Sequence, residues 1–212
     1  MDEPRHRNLR FPPRGIVRFG DRSFDRMAMA LVRLKITPNA LTVAGLLAGA
    51  AGGAFLAFGL PSPAFIAILF CGLFDVVDGR VAVRTNAETR FGALLDSSLD
   101  RYSEFFLYAG LAYHFQGRWP SWLAWLAFLG SAMVSYTRAR AEGLGLNCRI
   151  GLMQRRERFL ILGTGVLAGV LVPVFDTAMM IALSLIAFLA NITAVQRILY
   201  VRRADRSNSR KG

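Results

Sequence analysis

Four carboxylates stand among otherwise apolar residues. Asp75 and Asp78 lie in Asp75-Val-Val-Asp78-Gly79-Arg80-Val-Ala82-Val83-Arg84, and Asp96 and Asp100 in Gly92-Ala-Leu-Leu-Asp96-Ser-Ser-Leu-Asp100. On helices, the i, i+3 spacing of the first pair and the i, i+4 spacing of the second put each pair on one face. Two facing helices would then direct four carboxylates at one point. Acids inside a membrane segment cost about 2.5–3.5 kcal/mol each at mid-helix on insertion scales, so four together require a compensating cation. Mg²⁺, Mn²⁺ and Ca²⁺, hard ions that take oxygen ligands, meet that requirement. Ion pairs with Arg80, Arg84 and Arg101 are the plainer reading of the same acids.

A cation-binding cluster that opens to water yet reaches acyl-chain depth can hold a phosphate group and a lipid tail together. The chemistry this suggests is transfer on a phospholipid precursor. A metal orients a diphosphate and neutralises charge on the leaving group, and a remaining carboxylate can accept the proton of an attacking hydroxyl. Gly79 and Gly92, close to the acids, either leave room for substrate against backbone or are packing glycines.

The elements that must position these acids follow from hydropathy. Of 212 residues, 54% are hydrophobic, with runs long enough to cross a bilayer, so the expected fold is an all-α integral membrane protein with one domain. Residues 1–36 form an interfacial amphipathic segment, its helix spanning 15–34, where Ile16, Phe19, Phe24, Met27, Leu31 and Leu34 alternate with arginines. Such a helix would rest on anionic membrane lipids. Six spanning helices occupy 37–200, at about 38–60, from 64 through the Asp75/Asp78 pair, 91–113, 119–141, 157–174 and 177–200, and 201–212 is a basic tail. Thr37-Pro38-Asn39 reads as a helix start. Gly45, Gly49 and Gly53 permit close approach of another helix, either within the chain or in a dimer.

The net charge of +12 does not point to nucleic acid, because the basic residues gather between apolar runs rather than on one soluble face. With Arg118 the sole exception, every Lys and Arg falls in segments that are cytoplasmic if both termini are cytoplasmic. Asp75 lies 12 residues from Pro63, about 18 Å, and Asp100 lies 14 from His114, about 21 Å, so both acids reach the cytoplasmic third of the bilayer. His114, at the far end, reads as an interfacial side chain rather than a ligand, and Trp119, Trp122 and Trp125 as an aromatic belt. Cys71 and Cys148 have neither disulfide nor zinc spacing, and the N-terminus lacks the features of a signal peptide.

Asp-x-x-Asp-Gly-x-x-Ala followed by Gly-x-x-x-Asp-x-x-x-Asp resembles the signature of the CDP-alcohol phosphotransferase (CDP-alcohol phosphatidyltransferase) family of integral membrane enzymes. The resemblance implies that Asp75, Asp78 and Asp96 bind Mg²⁺ or Mn²⁺, that Asp100 acts as base and approaches the metals, and that the chain forms a homodimer in a bacterial or archaeal membrane. It further implies that Thr37, Pro38, Asp78, Gly79, Ala82 and Gly92 face a CDP-linked lipid such as CDP-diacylglycerol. In one respect this chain departs from the pattern: Val83 stands where the family has arginine, with Arg80 one turn earlier as the candidate substitute. Tyr136 to Gly143 and Gly151 to Arg158 are similar to segments of the phosphatidylinositol-phosphate synthase branch and its archaeal ether-lipid relatives. Arg138, Arg140, Arg155 and Arg158 are accordingly the candidate acceptor-binding residues for inositol phosphate, Arg138 and Arg155 foremost. Arg138 could equally pair with Glu142. Glycerol phosphate is the alternative acceptor. A cation transporter or channel, and a non-catalytic lipid-binding relative, are the readings from other classes.

Overall fold

The computed structural model describes residues 14–148 and 150–208, with side chains described over 23–148 and 150–205; every regular element among them is a helix. These are α1 (Arg14–Arg33), α2 (Pro38–Ala57), α3 (Pro61–Arg84), α4 (Arg90–His114), α5 (Pro120–Gly143), α6 (Arg155–Leu171) and α7 (Phe175–Asn208). Two of them, α2 and α7, are long and apolar enough to cross a membrane by composition alone. A helix stands at each expected position, with most ends displaced by one to three residues, but α7 runs eight residues past the expected end at 200, into the segment read as a basic tail.

Local chemistry sets those ends. Thr37 caps α2 by accepting from Ala40 N at 3.3 Å, with Pro38 in the first turn, and Thr89 caps α4 by accepting from Gly92 N at 2.9 Å. Residues 154 and 157 form a capping box at α6, where Gln154 N donates to Glu157 Oε2 at 3.0 Å.

Helices α2, α3 and α4 make one packed group, and α7 packs with α5 and α6; α4 against α5 and α3 against α6 join the two groups. The glycine stripe serves internal packing, which decides between its two readings. Gly45 faces Phe74 and Cys71 of α3, Gly49 faces Ser103 of α4, and a Cβ at Gly53 would collide with the Phe106 carbonyl. Gly110 meets the Gly53 carbonyl in return, so α2 and α4 touch backbone to backbone.

The apolar face of α1 is covered by α3. Phe24, Met27, Ala28, Leu31 and Val32 pack with Leu73, Phe74, Val77 and Val81. Asp25 fastens the same contact, accepting from Arg80 at 2.8 Å and lying 3.1 Å from Arg84, while the Arg80 guanidinium stacks over Phe24. Arg80, the candidate substitute for the arginine missing at Val83, thus joins Arg84 on α1, and the Val83 side chain is exposed. At the far end of the bundle, His114 and Arg118 both bond Asp176 at 2.8 Å, tying α4 and the α4–α5 turn to α7. Trp119, Trp122 and Trp125 are exposed there, and both cysteines are free and buried.

Candidate metal and anion site

Asp75 on α3 and Asp96 and Asp100 on α4 each present a carboxylate oxygen within 4.8 Å of the others. Asp78, one turn beyond Asp75, lines the same cavity but turns its Oδ2 to the Thr42 hydroxyl, which donates over 2.9 Å. Gly45, Leu46, Cys71, Leu99, Ser103 and Arg155 complete the lining. Three of the four acids expected to converge do so: α2 packs against both α3 and α4, which brings Asp75, Asp96 and Asp100 together, while Asp78 lines the cavity but is turned to Thr42.

Arg155, at the first position of α6, enters between the two acidic helices. Its Nη1 donates to Asp75 Oδ1 at 2.6 Å, its Nη2 donates to Asp100 Oδ1, and its guanidinium lies over the Phe159 ring. One cation therefore bridges α3 and α4. Asp96 keeps a buried Oδ1 without a hydrogen-bond partner. A buried carboxylate oxygen left in that state is costly unless a cation serves it. The donors are all oxygens, and lying within 4.8 Å of one another they fall inside the roughly 4–5 Å diameter of the oxygen shell around Mg²⁺, Mn²⁺ or Ca²⁺. The residues fit a hard divalent ion.

Of the four candidate acceptor arginines, Arg155 alone reaches the carboxylates. Arg138 pairs with Glu142 at 2.9 Å, the alternative that its i, i+4 spacing allows, and Arg140 is exposed. Arg158 is buried and donates to Glu104 at 2.7 Å. Among the residues expected to face a CDP-linked lipid, Gly79 opens to free space, since a Cβ there would meet nothing within 4 Å. Gly92 lies beside Thr89 and Asn39, which brings the Thr37-Pro38-Asn39 turn to the start of α4, and Ala82 is half-buried on the last turns of α3. Thr42 and Glu104 escaped the sequence reading. Each had a signal: Thr42 is a lone hydroxyl on an apolar helix four residues after Pro38, and Glu104 extends the Asp96–Asp100 stripe by another four.

Fold and site together define a class, an apolar helical bundle carrying an all-oxygen cation site toward one end of its helices. A family model described as CDP-alcohol phosphatidyltransferase matches residues 35–201, and the chain belongs to that family of transferases. It is 37% identical over 171 residues to an archaetidylinositol phosphate synthase of Methanothermobacter thermautotrophicus, covering 80% of this chain and 85% of the relative. It is 37% identical over 182 residues to a phosphatidylinositol phosphate synthase of Mycobacterium bovis, covering 81% and 82%. Two crystal structures of the Mycobacterium tuberculosis phosphatidylinositol phosphate synthase match at TM-score 0.77 and 31% identity. One holds bound CDP-DAG and covers 85% of this chain and 94% of that one. The other is a complex with manganese and citrate, covering 84% and 88%. Membership in an enzyme family removes the transporter and channel readings.

Proposed function

We propose that this chain transfers a phosphatidyl group from CDP-diacylglycerol, or a related CDP-linked lipid, to a hydroxyl of inositol phosphate, releasing CMP. The observation that carries this reading is the meeting of Asp75, Asp96 and Asp100 with Arg155 in one cavity, carboxylates for a cation beside a cation for an anion. Its relatives support the acceptor: their names differ in the lipid and share inositol phosphate.

In this reading Asp75, Asp78, Asp96 and Asp100 hold Mg²⁺ or Mn²⁺, which when bound neutralises charge on the diphosphate and on the leaving CMP. Asp100 takes the proton from the acceptor hydroxyl. The hydroxyl oxygen forms a new bond to the lipid-side phosphorus, the bond from that phosphorus to the CMP oxygen breaks, and its electron pair leaves with CMP. Arg155 grips the acceptor's own phosphate, a task suited to a guanidinium fork. Gly79, with free space where a side chain would stand, lets the donor approach the backbone of α3, and Gly92, Ala82, Thr37 and Pro38 are its further contacts in this reading. Arg138 and Arg140 serve topology, given the pairing of Arg138 with Glu142.

The remaining architecture belongs to the same reading. Helices α2 to α7 are six spans, both termini are cytoplasmic, and the site opens to the cytoplasm of a bacterial or archaeal cell. In support, every Lys and Arg except Arg118 falls, along the sequence, in segments that this topology makes cytoplasmic. In this reading residues 1–36 are the interfacial segment, of which 1–13 lie outside the described residues, 37–200 the catalytic domain, and 201–212 a basic tail, of which 209–212 lie outside them. A homodimer would join through surfaces other than Gly45, Gly49 and Gly53, which face α3 and α4.

The test is divalent-dependent CMP release from CDP-diacylglycerol, compared across inositol phosphate, glycerol phosphate, inositol and serine. Inositol phosphate should give the highest kcat/KM. A higher value with glycerol phosphate or an uncharged alcohol would overturn the acceptor, and absence of CMP release with any of them would overturn the reaction.

A further inference from the structure

Behind the carboxylate cavity lies a second charged cluster that the proposed chemistry does not use. Glu104 and Arg158 are 2% and 1% exposed. Glu104 Oε1 accepts from Arg158 Nη2 at 2.7 Å and Oε2 accepts from Arg101 Nη1 at 2.7 Å. Arg101 Nη1 also donates to Ser135 Oγ of α5 at 2.6 Å. The remaining Arg158 nitrogens, Nε and Nη1, are buried without hydrogen-bond partners. Among the described residues, the hydrogen bond to Glu104 is therefore the one that holds this buried guanidinium.

Two stripes face each other here. Asp96, Asp100 and Glu104 repeat every four residues on α4, and Arg155 and Arg158 sit three apart on the first turn of α6. The two arginines are one turn apart on one helix, so engaging Arg158 fixes the rotation of that turn and with it the aim of Arg155. Cations at a helix start also oppose the helix dipole, which leaves this turn dependent on carboxylates from outside α6. Helix α6 packs chiefly on α3 and α7, so the link to α4 at this depth is carried by the arginine side chains.

We propose that Glu104 is a positioning residue: by clamping Arg158 it aims Arg155 into the carboxylate cavity, and so governs capture of the anionic acceptor rather than of the CDP-linked lipid. The inference rests on the reading of Arg155 as the acceptor's phosphate-binding group. Three variants are compared in steady-state kinetics, each with both substrates varied: Arg155→Ala, Glu104→Gln, and their combination. Expected are an inositol phosphate KM raised about tenfold or more by Arg155→Ala and by Glu104→Gln, as for a lost charge-assisted contact. The donor KM should change less than about twofold, and the double variant should be no worse than Arg155→Ala alone. Additive losses, or a fall in kcat with unchanged acceptor KM, would mark Glu104 as merely structural and overturn the proposal. An Arg155→Ala variant with unchanged acceptor KM would instead overturn the acceptor reading itself. If Glu104→Gln fails to fold, Glu104→Gln with Arg158→Met removes the buried pair as a unit while keeping its bulk. That pair of changes should reproduce the acceptor KM effect, and an unchanged acceptor KM would overturn the clamp.

Discussion

The Thr42 hydroxyl donates to Asp78 Oδ2 across 2.9 Å, and the same Oγ1 stands 3.1 Å from the Pro38 carbonyl, so α2 decides where the second aspartate of the motif points. Both Thr42 and Asp78 are buried, and a hydrogen bond to a charged group is worth about 1.5–3 kcal/mol. Thr42→Val keeps the volume and removes the donor. The expected result is a folded protein whose activity falls about ten- to hundredfold, converting that energy at about 1.4 kcal/mol per decade. Unchanged kcat and metal dependence would mean that Asp78 needs no such orientation.

Asp96 supplies the sharpest test of the cation. Its buried Oδ1 has no hydrogen-bond partner, so Asp96→Asn removes a formal charge from an oxygen that no protein donor satisfies. Mn²⁺ affinity, followed by the paramagnetic signal of the free ion in titrations of purified protein, should fall by at least tenfold, on the order of the 1.5–3 kcal/mol of a charged contact. Asp75→Asn should behave alike. Wild-type Mn²⁺ affinity in both variants would remove these residues from the cation shell.

Much of this site was legible because helical periodicity translates directly into shared faces. Asp75 with Asp78 and Asp96 with Asp100 needed only the i+3 and i+4 rules and two adjacent helices. Depth and charge also made the ends of the bundle readable, as with His114 and Trp119 far from the acids. The arginines were not legible in the same way. Arg138, Arg155 and Arg158 have equal charge and similar places near helix ends. A long flexible side chain reaches whichever carboxylate tertiary packing brings near, whether Glu142, Asp75 and Asp100, or Glu104. Sequence spacing constrains the first of these pairs and neither of the others. The glycine stripe was ambiguous for a related reason: small residues announce a close helix neighbour without saying which helix it is.

Asp25 makes docking of α1 sensitive to acid. Arg84, then Arg80, hold its carboxyl below the ordinary value near 3.8. A depressed folded-state value means that the charge contributes to docking at neutral pH, and that the contribution is lost as the pH falls through that lowered value. Spin labels at the exposed positions Met29 and Val83 would follow the separation of α1 from α3. The distance distribution should broaden as the pH falls below 3.8 and in 1 M salt, where screening acts within about 3 Å. In Asp25→Asn it should be broadened already at pH 7 and insensitive to both. A wild-type distribution that ignores salt and acid would leave apolar packing as the sole tether.

Two glycines on the site-bearing helices should respond oppositely to the same change. A Cβ at Gly53 would strike the Phe106 carbonyl group, which is backbone and cannot swing aside, and Gly110 presses on the Gly53 carbonyl from the other side. Gly53→Ala must therefore push α2 away from α4, at an overpacking cost of about 1–3 kcal/mol. Since α2 carries Thr42 and α4 carries Asp96 and Asp100, the displacement should lower activity as well as stability. Gly79→Ala meets nothing within 4 Å and removes a flexible residue from a helix interior, so stability should hold or rise by about 0.5–1 kcal/mol. Its effect should fall on the substrate instead, as a raised KM for CDP-diacylglycerol, if the open space beside Gly79 receives the donor. Thermal unfolding of both variants in one detergent, with donor KM measured for Gly79→Ala, decides the matter. A destabilised Gly79→Ala would return that residue to packing, and a Gly53→Ala as stable as the parent would refute the backbone contact between α2 and α4.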